Sequence, residues 1–212
     1  PVQTLKVFVS FLNDREMRMD EATTERVLQD SMFELDNLSA YLGKLKDMVC
    51  ADERETLLRP SAFNLRELVE KVVRLTNIPT GKKVSFSTAF PPDMPDLTAD
   101  PVHVANVLSN LIENAIKYSR EEVDIDIVVL WNQQGVELTV SDNGFGIAPD
   151  ERRKVFDKFY RSSHLPDKQI PGIGLGLSYV RQIVEAHHGS VSLRSELGEG
   201  TRITINLPTT AL

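Results

Sequence analysis

A single cysteine in 212 residues, Cys50, excludes an intrachain disulfide and suits a reducing compartment. No apolar run approaches the roughly 20 residues a membrane-spanning helix needs, and no signal-peptide pattern opens the chain. Basic charge is not in excess: 24 Lys and Arg face 31 Asp and Glu, for a net charge of −7, which argues against a nucleic-acid binder. An acidic chain can still hold phosphate, because backbone amides or a metal ion supply positive potential locally. Internal repeats, low-complexity stretches and the Gly-Lys-Ser/Thr ending of a P-loop are all missing. What remains is ordinary globular material, 41% hydrophobic and 26% charged, enough for one large domain or a domain with a smaller helical piece. Pro1 is an unusual native start, so the chain reads as a fragment of something longer.

The pattern divides near Pro60. Before it, Val2, Leu5, Phe8 and Leu12 recur at helical spacing, and a second helix is expected over about 23–53. In that second helix Leu28, Leu35, Leu42 and Val49 lie seven apart, with Leu38 and Leu45 three residues after two of them and one break at Ser31. This is a heptad seam. One helix cannot bury such a seam, so residues 1–59 read as a partial helical hairpin that dimerises into a four-helix bundle. Docking of the helix on its own domain is the alternative.

After Pro60 the sequence predicts a helix capped by Asn64, a strand over 84–90, and a helix opened by Asp100-Pro101, with aspartate at the cap and proline in the first turn. Strands at 123–132 and 136–142 make a hairpin. A short helix, a loop around 161–172, a helix from about Gly174 to His187, and strands at 190–196 and 201–207 follow. Residues 60–212 are therefore expected to form an α+β domain, a two-layer sandwich of three helices on a mostly antiparallel sheet.

Three stretches carry candidate chemistry. Asn110, Asn114 and Lys117 share one helix face, while Leu111, Ile112 and Ala115 point to the core. Amide oxygens can ligate Mg²⁺ and an ammonium can meet phosphate, yet taken alone these residues would simply face water. Directly after a strand comes SDNGFGI, 141–147. Its glycines, Gly144 and Gly146, would let the backbone approach a flat ligand, and Asp142 could accept from an amino group such as that of adenine; an ordinary Asp-Asn-Gly turn is the plainer reading. Finally GIGLGL, Gly172 to Leu177, runs into a helix and would present amides to phosphate, but its spacing is not that of a dinucleotide fold.

In combination these stretches are specific. An Asn-x-x-x-Asn helix, a DNGFGI loop, the phrase VFDKFYR, a GIGLGL turn and a GEGT hairpin occur in that order. Over roughly 60–208 the chain resembles the ATP-binding catalytic domain of bacterial sensor histidine kinases, within the GHKL superfamily of gyrase-type ATPases, whose N, G1, F, G2 and G3 boxes these are.

The resemblance implies that Asn114 ligates Mg²⁺ with Asn110 nearby, and that Lys117 and Tyr118 lie along the phosphates and nucleotide. It implies that Asp142 accepts from the adenine amino group, with Gly144, Gly146 and Ile147 lining the pocket. Gly172, Gly174, Leu175, Gly176 and Leu177 would shape the lid and phosphate seat. Thr201 would hold adenine through water, and Arg161 would reach phosphate from the start of the lid. Phe156 and Phe159 are the aromatics of the FYR phrase, expected to pack in the core and to anchor the lid at once, with Phe159 counted among the ATP-binding residues. The 161–171 lid, with its prolines, is expected to order over ATP; His164 within it is expected to be solvated. His103 reads as a helix-surface residue, and His187 and His188 as helix-end residues favoured by the dipole. Glu113 is expected on a different helix face from Asn114.

Superfamily ATPases carry a water-activating glutamate where Asn110 stands, and asparagine cannot be a general base, so phosphoryl transfer is expected in place of hydrolysis. By the same resemblance Pro1 would follow an acceptor histidine lying just upstream. The γ-phosphoryl of Mg·ATP would pass to that histidine and then to an aspartate on a response-regulator receiver domain. The partners implied are a second copy of the chain and that regulator, without nucleic acid or membrane contact. The location implied is cytoplasmic, within a protein of a kind often anchored in the inner membrane. The rivals are a gyrase-type ATPase, a degenerate dimerisation scaffold and a serine kinase of the anti-sigma-factor type.

Overall fold

The structure is a computed structural model that describes residues 58–208 apart from 80, 133, 165–169 and 171. The hairpin expected ahead of Pro60, with its seam and Cys50, falls on residues 1–57, outside the described residues.

The chain opens with β1 (Ser61–Phe63), α1 (Leu65–Leu75), β2 (Lys83–Ala89), β3 (Leu97–Ala99) and α2 (Pro101–Lys117). It continues through β4 (Glu122–Asn132), β5 (Gly135–Asp142), a 3₁₀ turn at Lys154–Phe156, α3 (Gly176–Ala186), β6 (Ser190–Glu196) and β7 (Gly200–Pro208). The main sheet runs β2-β4-β5-β7-β6, and β1 with β3 forms a separate antiparallel ribbon. This is the expected two-layer sandwich with two additions. The ribbon was not foreseen, because its strands are three residues long and carry no alternation. In the main sheet β2 lies parallel to β4, which only the chain path decides. The short helix expected after Ile147 is a single 3₁₀ turn.

Period two in the strands builds the core. On β4 Val123, Ile125, Ile127 and Val129 are buried while Asp124 and Asp126 face water. Val136, Leu138 and Val140 on β5, and Ile203, Ile205 and Leu207 on β7, continue that inner face. Val104, Val107, Leu108, Leu111, Ile112 and Ala115 of α2, with Val180, Ile183 and Val184 of α3, cover it. Each large aliphatic buried this fully contributes about 1.5–3 kcal/mol.

Capping fixes where the helices begin and end. Asn64 Oδ1 accepts from the Glu67 amide at 3.0 Å. Asp100 caps α2 by accepting from the amides of Val102 and His103 at 3.0 and 3.1 Å, and its other oxygen accepts from the Arg59 amide at 2.8 Å. Burial of Asp100 opposes ionisation, but these bonds outweigh it and hold the carboxyl below its usual range. At the far end of α2 the Lys82 ammonium donates to the carbonyls of Ile116 and Ser119 at 2.6 and 2.8 Å, closing the helix just beside Tyr118.

His187 is not the dipole-favoured cation expected. It is buried; Nδ1 donates to the Ile183 carbonyl at 2.8 Å and Nε2 accepts from the Asp100 amide at 3.0 Å. That pairing requires the neutral ring, and burial lowers its pKa accordingly. His103 is half-buried, its Nδ1 at 2.9 Å from the Tyr179 hydroxyl, so it ties α2 to α3 and is no free surface residue.

Candidate functional site

At one end of the sandwich the apolar core opens into a cleft. Its floor follows from strand period. Val136, Leu138 and Val140 point inward along β5, so the next inward position is Asp142. On β7 the inward series Leu207, Ile205, Ile203 ends at Thr201, and Asp142 and Thr201 are register partners. A carboxylate thus stands at the edge of the core above Val140 and Ile203, which line the cleft with it. Burial pushes this carboxyl up to about 6, only partly offset by the amides of Gly144 at 2.8 Å and Thr201 at 3.3 Å, both of which donate to Oδ1.

The loop after β5 is knotted in place. The Phe145 amide donates to the Tyr118 carbonyl at 2.9 Å, and the Gly198 amide to the Phe145 carbonyl at 2.8 Å, so the loop bridges the end of α2 to the β6–β7 hairpin. Ser195 is buried beneath it: Oγ accepts from the Ile147 amide at 2.8 Å, donates to the Gly200 carbonyl at 2.7 Å and lies 3.0 Å from Thr201 Oγ1. Gly146 has φ +70, and a Cβ there would collide with the Glu196 carbonyl; one at Gly144 would crowd Asp142 and the Tyr118 carbonyl. The glycines of this loop serve close packing of protein against protein. Gly146 and Ile147 still line the cleft; Gly144 lies behind it, buried.

The α2 wall carries Leu111, Ala115, Asn114 and Tyr118 on the cleft. Burial raises the Tyr118 phenol. Asn110 is buried next to this wall. Its Nδ2 donates to the Asn106 carbonyl at 2.8 Å, which turns Oδ1 toward the first turn of α3. A Cβ at Gly176 would lie 3.2 Å from that oxygen and 3.4 Å from Asn114 Nδ2. Glycine at 176 therefore leaves the two amides and the start of α3 facing one another across a small space. Lys117 Nζ occupies the place a side chain at Gly172 would take and lies 4.9 Å from the Tyr118 ring centre. Leu175 is buried at the start of α3, with Leu177 on the cleft. Glu113 is exposed on another face of α2.

Opposite the sheet stand residues 159–164 and, after the described part of the loop resumes, 172–174. Tyr160, Arg161 and Ser162 line the cleft, as does Gly174. The Phe159 amide donates to the Gly174 carbonyl at 2.9 Å, and Arg161 Nη2 donates to the Ile170 carbonyl at 2.5 Å. Phe156 is buried, as plain packing would have it. Phe159 is not: it is 61% exposed with φ +66 and does not line the cleft. His164 is exposed, as expected, with its Nδ1 3.2 Å from Glu151 Oε1.

Glu151 was not singled out in the sequence. It is 1% exposed. Oε1 accepts from the Tyr160 hydroxyl at 2.9 Å, the Ser163 amide at 2.9 Å and the Ser163 hydroxyl at 3.0 Å, and Oε2 accepts from the Ser162 hydroxyl. Burial works to raise this carboxyl, but the donors led by Ser162 outweigh it and hold it at about 2. Leu111, Ala115, Val140, Val155 and Ile203 on the cleft, like Ser195 below it, also went unnoticed, because in the sequence they are indistinguishable from core residues.

A mostly apolar cleft at the open end of an α/β sandwich, with one half-buried carboxylate on its floor, defines a site for a flat, partly polar ligand. A model of the histidine kinase-, DNA gyrase B- and HSP90-like ATPases matches residues 99–211, and the chain belongs to that family. Its relatives are sensor kinases. It is 30% identical over 213 residues to the sensor protein RprX of Bacteroides fragilis (strain YCH46), covering 98% of this chain and 41% of that protein. It is 32% identical over 196 residues to the adaptive-response sensory kinase SasA of Synechococcus sp. (strain JA-2-3B'a(2-13)), covering 92% of this chain and 52% of that one. Among solved structures, the mycobacterial sensor histidine kinase MprB is 25% identical with a TM-score of 0.59, covering 73% of this chain and all of that one. The chain spans about half or less of the length of these curated relatives. Among the described residues no helix is long and apolar enough to cross a membrane.

Proposed function

We propose that this chain is the ATP-binding catalytic part of a sensor histidine kinase in a two-component system, and that residues 60–212 form its nucleotide domain. The observation that carries this reading is Asp142. Its Oδ1 is saturated by two amides, which leaves Oδ2 to accept from an exocyclic amino group, and the apolar residues around it suit the faces of a purine. Adenine enters over Val140 and Ile203, with Thr201 and Gly146 at its edge. The phosphates extend toward Asn114, Lys117 and Arg161, with the amides before α3 as further donors.

The donor chemistry fits magnesium. The Asn114 amide offers a hard oxygen, Asn110 turns its own oxygen the same way, and phosphate oxygens and water complete the shell of an ion that dehydrates reluctantly. Held by Asn114 with Asn110 beside it, the ion would supply charge neutralisation at the phosphates. Asn110 cannot activate water, so the γ-phosphoryl goes to a protein histidine and from there to the aspartate of a receiver domain. Lys117 and Arg161 position and neutralise the phosphates while the apolar floor excludes water. Residues 1–59 supply a dimerising hairpin, making a second copy of the chain a partner.

Calorimetric titration with ATP, with and without Mg²⁺, tests the site. We expect Mg²⁺ to tighten binding, Asn114→Ala to remove that enhancement and Asp142→Asn to remove binding. If the unmutated chain binds no ATP, the reading fails and a dimerisation scaffold becomes the better account.

A further inference from the structure

The carboxylate of Glu151 lies outside the cleft, yet it gathers the hydroxyls of three residues that lead into the lid. Tyr160, Ser162, Ser163 and His164 all point at it, and two of them, Tyr160 and Ser162, also line the cleft on either side of Arg161. A side chain at 1% exposure taking four bonds and an ion-pair contact is a deliberate anchor, since an unpaired carboxylate could not be buried this far. The backbone ties Phe159 to Gly174 and Tyr160 to Asp157, and the Arg161 bond to Ile170, hold the chain on either side of it. Glu151 adds the side-chain anchorage between residues 160–163 and the body of the domain just before the 3₁₀ turn.

We propose that Glu151 is a positioning residue of the nucleotide site: by fixing Tyr160 and Ser162 it sets the direction in which Arg161 presents its guanidinium to the phosphate chain. The proposal rests on the nucleotide reading above and assigns Glu151 no contact with ATP. Its effect is on the part of the ligand that Arg161 meets. The adenine end, held by Asp142 and the sheet, is independent of it.

The test compares Glu151→Gln and Glu151→Asp with the unmutated chain, using ATP and adenosine as probes in calorimetry and amide hydrogen exchange without ligand. The Gln variant keeps shape but replaces an acceptor oxygen with a donor group. We expect it to weaken ATP about tenfold while adenosine changes less than twofold, and to speed exchange at residues 159–164 with the sheet still protected. The Asp variant should recover part of the ATP affinity. Should Glu151→Gln fail to fold, the double variant Tyr160→Phe, Ser162→Ala removes donors in place of the acceptor and carries the same comparison. Equal losses for ATP and adenosine, or unchanged exchange at 159–164, would overturn the proposal. Absence of ATP binding by the unmutated chain strikes the parent reading instead, and the exchange measurement still decides whether Glu151 anchors the lid.

Discussion

The two walls of the cleft are held by different kinds of bond. On the sheet side, Asp142 and Thr201 sit at the ends of two hydrogen-bonded strands, Ser195 is buried under them, and the loop from Gly144 to Ile147 is locked by backbone bonds to Tyr118 and Gly198. On the lid side, residues 159–164 have no ladder; their polar groups converge on the Glu151 carboxylate and their backbone touches Gly174. The first wall is a continuation of the core and moves only if the sheet does. The second is held by side-chain bonds to one carboxylate and a few backbone bonds, so its geometry can change while the fold stays intact. A site that must hold a base rigidly and yet admit and release a phosphate chain needs both kinds of wall.

Asp142→Asn should break the contrast hardest. The amide nitrogen would oppose the exocyclic amine, so ATP affinity should fall by on the order of 100-fold or more. The unliganded domain should become more stable, by roughly 1–3 kcal/mol, because a buried charge held against a raised pKa disappears. Calorimetry and thermal melting of the same samples would show the opposite signs.

A pH series sharpens the same point. Nucleotide recognition needs the ionised carboxylate, so ATP affinity should drop by about tenfold per unit as pH falls below about 6. The sign for stability is reversed. The folded pKa lies above the unfolded value near 4, so this group favours the unliganded fold at low pH and costs stability as pH rises from about 4 to about 6. Titration of binding and of melting temperature over pH 5–8 would separate the two; pH-independent affinity would rule out the role given to Asp142.

Two glycines compare the walls directly. Gly146→Ala would push a Cβ into the Glu196 backbone at positive φ, and a loss of about 2–4 kcal/mol is expected in denaturant melts. Gly172→Ala meets only the far end of the Lys117 side chain, which can swing away; it should cost about 1 kcal/mol of backbone strain while displacing that ammonium and weakening ATP.

The smallest effect lies behind both walls. The His187 pKa is lowered by burial, so its contribution to stability is present above about 6.5 and lost as pH falls below that value. His187→Gln should flatten that limb of the stability profile.

Much of the domain was legible in the sequence because its signals are local. The Asn64 and Asp100 caps, the alternation on β4, β5 and β7, and the glycine turns each depend on a few neighbouring residues, and each element formed within one or two positions of where it was expected. Even the place of Asp142 follows from counting inward positions from Val136. Phe159 went the other way: an aromatic in an apolar phrase reads as core, but the turn that returns the chain toward Gly174 leaves it exposed. His187 was misread for a related reason, since its helix-end position is visible in sequence whereas the Asp100 amide that fixes its neutral form is 87 residues away.

By itself the sequence determined the strands of the main sheet, the three long helices and the caps of the first two, and the order of the motifs that bring Asn110, Asn114, Asp142 and Gly176 to one end of a sandwich, because those depend on short-range periodicity and backbone sterics. Only the tertiary structure decided that β2 runs parallel to β4, that the glycines of the DNGFGI loop make room for neighbouring backbone, and that a glutamate in an unremarked DERR stretch accepts from Tyr160, Ser162 and Ser163. Those outcomes depend on which distant groups are brought within hydrogen-bonding reach, and no spacing along the chain encodes that.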